Sequence, residues 1–241
     1  MDLRAALYTA VHGGTTGDRG FYTDVCRGAR SVLEFGCGGG RLLGVLAGSE
    51  RRVVGVDHDE GLLALAQTQL EQSGLSNRVT LRLDDMRRVD LGQRFDRVVL
   101  AFNGLWCLPD DTAVGEALRN AATHLAEGGR LALDVYRVDA FHNDAQPDDV
   151  AADARHPVAT VEVDGTTWEV TECSTWRPDR REIEARYTHE AADGRTLTTT
   201  IEHHYLLEDE VVAAIQAAGL PHVHARHGLA ADDSLLIEAW R

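Results

Sequence analysis

Apolar and polar positions along the chain follow two different periods. Residues 31–35 form a short apolar run that ends in a glycine cluster, and apolar residues at helical spacing continue over 40–47. This reads as strand, tight turn and helix. The unit recurs at residues 52–56, a valine-rich run ending at Asp57, after which Leu62, Leu63, Leu65, Ala66 and Leu70 mark one face of a helix. Residues 79–83 and 95–101 are further strand candidates. Residues 112–125 are helical in pattern, and Gly128-Gly129 is expected to close that helix before a strand over 130–136. Strands that alternate with helices predict parallel pairing through right-handed crossovers.

Beyond Tyr136 the pattern changes. Residues 158–163, 167–175, 182–189 and 196–206 are rich in Thr, Val, Tyr and Trp, and Asp164-Gly165, Pro178-Asp179 and Asp193-Gly194 separate them. Those dipeptides suit hairpin turns, so four antiparallel strands are expected. A helix over 208–218 ending at Gly219, and strands over 222–226 and 234–240, are predicted to return the chain to the α/β sheet.

Composition narrows the class. A length of 241 residues suits one α/β core carrying an insertion, and 44% hydrophobic with 26% charged residues is ordinary for a globular protein. No run of about eighteen apolar residues is present and none follows the amino terminus, so neither a spanning helix nor a secretory signal is expected, and a cytoplasmic protein is. The formal charge of −15 argues against a nucleic-acid partner, because such binding draws on neutralised phosphates. Cys26, Cys37, Cys107 and Cys173 form no C-x-x-C pair, and adjacent His203-His204 point to opposite faces of a strand. No metal is expected.

Candidate chemistry concentrates at residues 32–40, Val-Leu-Glu-Phe-Gly-Cys-Gly-Gly-Gly, where backbone without Cβ atoms lets a ligand approach closely. Asp57 ends the next strand, where a carboxylate can accept hydrogen bonds from both hydroxyls of a ribose. A nucleotide-dependent oxidoreductase is the competing reading. Gly36, Gly38 and Gly40 give G-x-G-x-G, however, with Arg41 where the dinucleotide fingerprint has its third glycine and Glu34 where its charge would repel a pyrophosphate. A guest bearing an ammonium group fits better.

In residues 32–40, Asp57, the stretch Leu83-Asp84-Asp85-Met86 and Phe95-Asp96-Arg97-Val98-Val99, the chain resembles the class I S-adenosylmethionine-dependent methyltransferases. The resemblance spans residues 31–136. It implies a Rossmann-like sheet of seven strands and S-adenosylmethionine as cofactor, with Gly36 and Gly38 at its methionine part, Asp57 at its ribose, and His58, Asp85 and Met86 at its adenine. Glu34 is expected to organise the glycine loop, with Arg41 and Phe102 beside the cofactor. Leu7-Tyr8, Gly17-Asp18, Phe21-Tyr22 and the antiparallel insertion resemble the branch containing aminosugar and glycine N-methyltransferase-like enzymes. In that branch the amino-terminal segment closes over the cofactor and the insertion covers the acceptor or forms a dimer contact. The expected divisions are a helical cap over 1–30, a cofactor-binding domain over 31–152 and 208–241, and an insertion over 153–207. Tyr8 and Tyr22 are then cofactor-contact candidates, Tyr8, His12 and His142 catalytic candidates, and Asn103, Trp106, Tyr136 and Tyr205 acceptor candidates. The implied activity is methyl transfer to an amine, or less readily a hydroxyl, of a small molecule, by a chain able to form a homodimer. A cofactor-binding regulatory module without turnover is a second alternative.

Overall fold

The computed structural model describes residues 2–139, 142, 154–228 and 234–241. Helices α1 (Leu3–Val11) and α2 (Asp18–Val25) come first. The chain then alternates β1 (Ser31–Phe35), α3 (Leu43–Ala47), β2 (Arg52–Asp57), α4 (Glu60–Gln72), β3 (Val79–Leu83), β4 (Phe95–Leu100), α5 (Asp111–Thr123) and β5 (Leu125–Tyr136). Four antiparallel strands follow, β6 (His156–Val163), β7 (Thr166–Arg177), β8 (Glu182–Ala191) and β9 (Thr196–His204), before α6 (Glu208–Ala217), β10 (His222–His227) and β11 (Ser234–Trp240).

The main sheet has the order β10-β11-β5-β4-β1-β2-β3, with β11 antiparallel between β10 and β5 and the rest parallel. Its central strands are covered on both sides, which is why they read as continuous apolar runs. On one face Leu33, Phe35, Val54, Val56, Val98, Leu100, Leu131 and Leu133 pack with Val114 and Leu118 of α5 and Val211 and Ile215 of α6. The alternate residues Val32, Val53, Val99 and Ala132 face the other way, against Phe21 and Val25 of α2, Leu43 and Leu46 of α3 and Leu63, Ala66 and Leu70 of α4. Because β1 lies between β2 and β4, the chain reverses its direction of travel there. The carboxyl ends of β1 and β4 therefore open the crevice in which α/β sheets of this kind bind ligands.

The second sheet, of order β6-β7-β8-β9, turns one face to α1. Leu7 packs with Val163, Trp168 and Ala191, and Val11 with Val170, Ala185 and Tyr187. Helix α1 is thus held between the two sheets, and its Arg4 pairs with Asp59 at 2.8 Å above the start of α4. The turn Asp164-Gly165, with φ of 52° and 69°, has the left-handed pair that a tight hairpin requires.

Most strand boundaries move by one or two residues from the sequence expectation, and two helix ends shift for a definite reason. Helix α5 stops at Thr123, and Leu125 already pairs with Phe95 as the first residue of β5, so Gly128 bends a strand and does not close the helix. The buried Leu125 side chain drives that pairing. Helix α3 begins at Leu43 because Gly36, Gly38 and Gly40, with φ of 71°, 52° and 87°, keep the preceding backbone out of helical geometry.

Candidate active site

A crevice of about 590 Å³ opens at the carboxyl ends of β1, β2 and β4, and α1 and β9 form its cover. This volume is in the range of small-molecule sites. Its floor is the glycine loop, tied to β2 by the amides of Gly36 and Cys37, which donate to the Val56 carbonyl at 2.8 and 3.1 Å. Asp57, 7% exposed, accepts from the Gly38 amide at 2.7 Å through Oδ2 and from the Asp59 amide at 2.9 Å through Oδ1. Each oxygen keeps a second lone pair, so the carboxylate both sets the loop and retains capacity for two hydroxyls. Cys37 is a filler: burial pushes its thiol well up, and its Sγ lies 2.8 Å from where a Cβ on Gly55 would stand.

Glu34 enters this crevice from the end of β1 with 3% exposure, and its Oε2 has no hydrogen-bond partner. Burial, opposed by Arg41 and assisted by Asp57 and Asp18, pushes its carboxyl up to about 8. A cation seated there would supply the missing partner. Arg41 pairs with Asp18 of α2 at 2.6 Å and lies over the Phe102 ring at 5.4 Å, so it fastens the amino-terminal helices to the β4 end. Gly14, at φ 95°, runs so close to this pair that a Cβ there would collide with the Arg41 guanidinium. Thr9 of α1 presents a second unpartnered buried atom, Oγ1, against Gly39.

A second hollow of about 520 Å³ adjoins the first and shares Asp57, His58, Met86 and Cys107 with it. Leu83, 53% exposed, lies in its wall with Leu108 and Met86, so a flat apolar guest would cover them. Asp85 is gripped by Arg87 through several hydrogen bonds of 2.6 to 3.0 Å, which hold its carboxyl down to about 2. These features fit S-adenosylmethionine part by part. An unpartnered buried carboxylate suits the ammonium, Asp57 suits the ribose, and a hollow with apolar walls and a carboxylate rim suits an adenine. Size alone does not mark the site. A hollow of about 650 Å³ at the opposite end of β5 is lined by Arg94, Arg130 and Arg241, and those side chains are already engaged with Glu238 and with the Thr123 and Ala122 carbonyls.

On the acceptor side, Tyr8 and His12 line the crevice one helical turn apart, their rings 4.4 Å apart. Burial pushes the Tyr8 phenol up. It also draws the His12 imidazole down to about 4, against the opposing pull of Glu172, so His12 is neutral near pH 7. The ring of Tyr187 meets His12 edge-on at 4.9 Å. Phe102 lies at the left-handed φ of 52°, beside Asn103 at 59°. The Asp134 carboxylate, accepting from the Phe102 amide at 2.8 Å, and Asn103 Oδ1, accepting from the Tyr136 amide at 2.7 Å, hold this strained pair.

The structure brings Tyr8, His12, Glu34, Gly36, Gly38, Arg41, Asp57, His58, Met86 and Phe102 to the main crevice and Asp85 to the adjoining hollow. It does not bring Tyr22 there. That residue is fully buried between α2 and the sheet, with its hydroxyl donating to Asp134, because a phenol in that apolar layer needs an acceptor. Asn103, Trp106, Tyr136 and Tyr205 also stand outside the lining, and together they form the wall behind it. Trp106, 1% exposed, lies edge-on to Tyr136 at 4.5 Å. Tyr136 Oη shares a hydrogen bond with His203 Nδ1 at 2.7 Å, His203 being held neutral by burial, which draws it down to about 4. Tyr205 Oη accepts from Trp176 Nε1 at 3.0 Å and meets His142 Nδ1 at 2.8 Å, so His142 too is turned to this cluster and away from the crevice.

Sequence reasoning missed Arg4, Thr9, Cys107 and residues 198–202, all of which line the crevice. Arg4 was within reach, since Arg4, Tyr8 and His12 recur every four residues along one face of α1. Residues 198–202 carried no signal, because their strand touches the site only through tertiary packing.

Residues 32–129 match the family described as a methyltransferase domain. The chain is 29% identical over 195 residues to dTDP-3-amino-3,6-dideoxy-alpha-D-glucopyranose N,N-dimethyltransferase of Streptomyces fradiae, a match covering 80% of this chain and 70% of that protein. Its fold is that of the CcbJ methyltransferase from Streptomyces caelestis, at a TM-score of 0.77 and 24% identity over 94% of this chain and 90% of that one. It is similar as well to DesVI from Streptomyces venezuelae, at a TM-score of 0.77 and 22% identity over 100% and 99% of the two chains. These matches and the donor set of the crevice favour methyl transfer over the nucleotide-dependent oxidoreductase. The chain thus carries a methyltransferase domain over residues 32–129, on the fold of solved methyltransferases.

Proposed function

We propose that the chain methylates the amine of a small hydroxylated acceptor, with an aminosugar as the favoured class and a hydroxyl as the less favoured target. The observation that carries this reading is a neutral His12 in the crevice wall, between Tyr8 and Tyr187. The sugar amine named for the Streptomyces fradiae relative supports it. When bound, S-adenosylmethionine supplies an electrophilic methyl carbon on a sulfonium. The protein's share is to align the nucleophile and exclude water. Positioning of this kind removes roughly 7 to 11 kcal/mol from a barrier.

Glu34 and Thr9 would hold the amino acid part of the cofactor, Asp57 its ribose hydroxyls, and Leu83, Met86 and Asp85 its adenine. Arg41 keeps the cap closed over it through Asp18 and Phe102. His12, uncharged at working pH, accepts a hydrogen bond from the acceptor amine and turns the nitrogen lone pair toward the methyl carbon, and the proton of the methylated ammonium is lost to solvent. Tyr8 packs at a tilt against His12 and stays protonated, so it offers a hydroxyl donor and not a base. Within this reading residues 1–30 act as the cap, 31–152 and 208–241 as the cofactor-binding unit and 153–207 as the acceptor cover. A cytoplasmic setting is part of this reading and suits four cysteines that form no C-x-x-C pair. A homodimer would pair through the outer edge strand β6, where Val158 is 44% exposed. Among the described residues no helix is long and apolar enough to cross a membrane.

The test is incubation with S-adenosylmethionine and separate pools of nucleotide-linked aminosugars, free aminosugars, amino acids and phenols, with products read by mass spectrometry. Methylated aminosugar is the expected product. Methylation confined to phenols, or to a protein or nucleic-acid fraction, would overturn the reading.

A further inference from the structure

Among the described residues strand β9 ends the four-stranded sheet on one side, with only one of its edges paired. Two hydrogen bonds fix which of its backbone groups use that edge. The Ala191 amide donates to the Arg195 carbonyl and the Tyr205 amide to the Arg181 carbonyl, both at 2.9 Å, and the register between them runs from Glu190–Thr196 to Glu182–His204 without a shift. In an antiparallel ladder a residue that bonds its neighbour alternates with one whose N–H and C=O both turn away. Odd-numbered residues of β9 therefore bond to β8, and Thr198, Thr200 and Glu202 direct their main-chain groups to the free edge.

That edge does not face open solvent alone. Five consecutive residues, Thr198 through Glu202, line the crevice that also holds the glycine loop, Tyr8, His12 and Phe102. A strand that shows both alternating sets of residues to one cavity is presented edge-on. Helix α1 and the turn at Gly104–Cys107 pack beside β9, yet neither hydrogen-bonds to the main chain of Thr198, Thr200 or Glu202. Proteins ordinarily defend such an edge with charge, proline or a bulge. Here it is built into the wall of a site, as donors and acceptors repeating about every 6.8 Å.

We propose that the free edge of β9 at Thr198, Thr200 and Glu202 is the acceptor-binding ladder of this enzyme, and that it reads hydroxyl groups of the acceptor ring through main-chain N–H and C=O. The proposal rests on methyl transfer to a small hydroxylated amine and names the atoms that would recognise it. A hydroxyl both donates and accepts, so it can pair with either member of each rung. An extended peptide is the other guest that strand edges take. The crevice, about 590 Å³ with the amino acid and ribose of the cofactor to hold as well, leaves room for one ring and not for a chain.

Proline at an outward-facing rung of an edge strand removes one N–H and no sheet hydrogen bond. Thr200→Pro therefore deletes a single proposed contact, and Thr200→Val controls for the side chain while keeping the amide. Binding of an aminosugar to enzyme loaded with demethylated cofactor is read by calorimetry, so absence of turnover does not obscure the result. Thr200→Pro should weaken the aminosugar roughly tenfold, the worth of one hydrogen bond, with S-adenosylmethionine affinity unchanged and Thr200→Val like wild type. Thr198→Pro should repeat the loss at the next rung, and an amine lacking ring hydroxyls should bind all variants alike. Unchanged aminosugar affinity in both proline variants, an equal loss in Thr200→Val, or tighter binding of an extended peptide than of the sugar would overturn the ladder. So would proline variants that lose cofactor affinity in parallel, because the edge would then be structural.

Discussion

The two walls of the crevice are made in different ways. The cofactor wall is local: the glycine loop, Asp57 and the stretch after β3 each sit within a few residues of a strand end, and backbone amides fix them. The acceptor wall is assembled from far apart, with α1 at the amino terminus, the turn after β4 and the edge of β9 brought together by the packing of α1 between two sheets and of β9 on the turn. The first wall suits a ligand that never changes. The second can be rebuilt for a new acceptor by substitutions in one helix and one hairpin, without touching the first.

If that separation holds, a variant of one wall leaves the other intact. The largest such effect is expected at His12. His12→Ala should lower kcat/KM for the acceptor by about a hundredfold, the cost of a nucleophile held out of line, while the S-adenosylmethionine Kd measured by calorimetry stays within twofold. A parallel loss of cofactor affinity would mean that the walls are coupled through α1. A smaller effect, on stability alone, is expected from Tyr22→Phe, which strips Asp134 of its buried donor. Thermal unfolding should show a loss of about 1 to 3 kcal/mol with cofactor affinity unchanged, and a cofactor defect at full stability would return Tyr22 to the site.

The most specific effect concerns protons. Glu34 is raised to about 8 from an ordinary 4.5, so the folded apoprotein holds a proton that the unfolded chain releases over that interval. Its contribution to stability is complete below about pH 4.5 and is lost as pH rises through about 8. Glu34→Gln should flatten that part of the stability profile. An ammonium seated on Glu34 would expel the proton, so cofactor binding at pH 7 should release protons in wild type and none from this source in Glu34→Gln. Calorimetry in buffers of differing ionisation enthalpy reads the difference.

The same contrast explains what could be read from the sequence. Strands β1, β3 and β11 fall where the apolar pattern puts them, and the glycine loop, Asp57 and Met86 stand at the crevice because motif and strand end coincide. Trp106, Tyr136 and Tyr205 are aromatic residues at strand ends too, yet the structure uses them to build the wall behind the crevice. Periodicity places a residue on a strand, and packing decides which cavity it meets. Thr9 and the edge of β9 were illegible for that reason, being ordinary helix and strand residues until α1 and the insertion close on the sheet.

The most direct test is calorimetric titration of S-adenosylmethionine into the Asp57→Ala protein alongside wild type. Loss of a carboxylate that holds the glycine loop and receives the ribose should weaken binding by about a hundredfold, as expected for two charge-assisted hydrogen bonds. An affinity equal to wild type would contradict the assignment of this crevice to the cofactor.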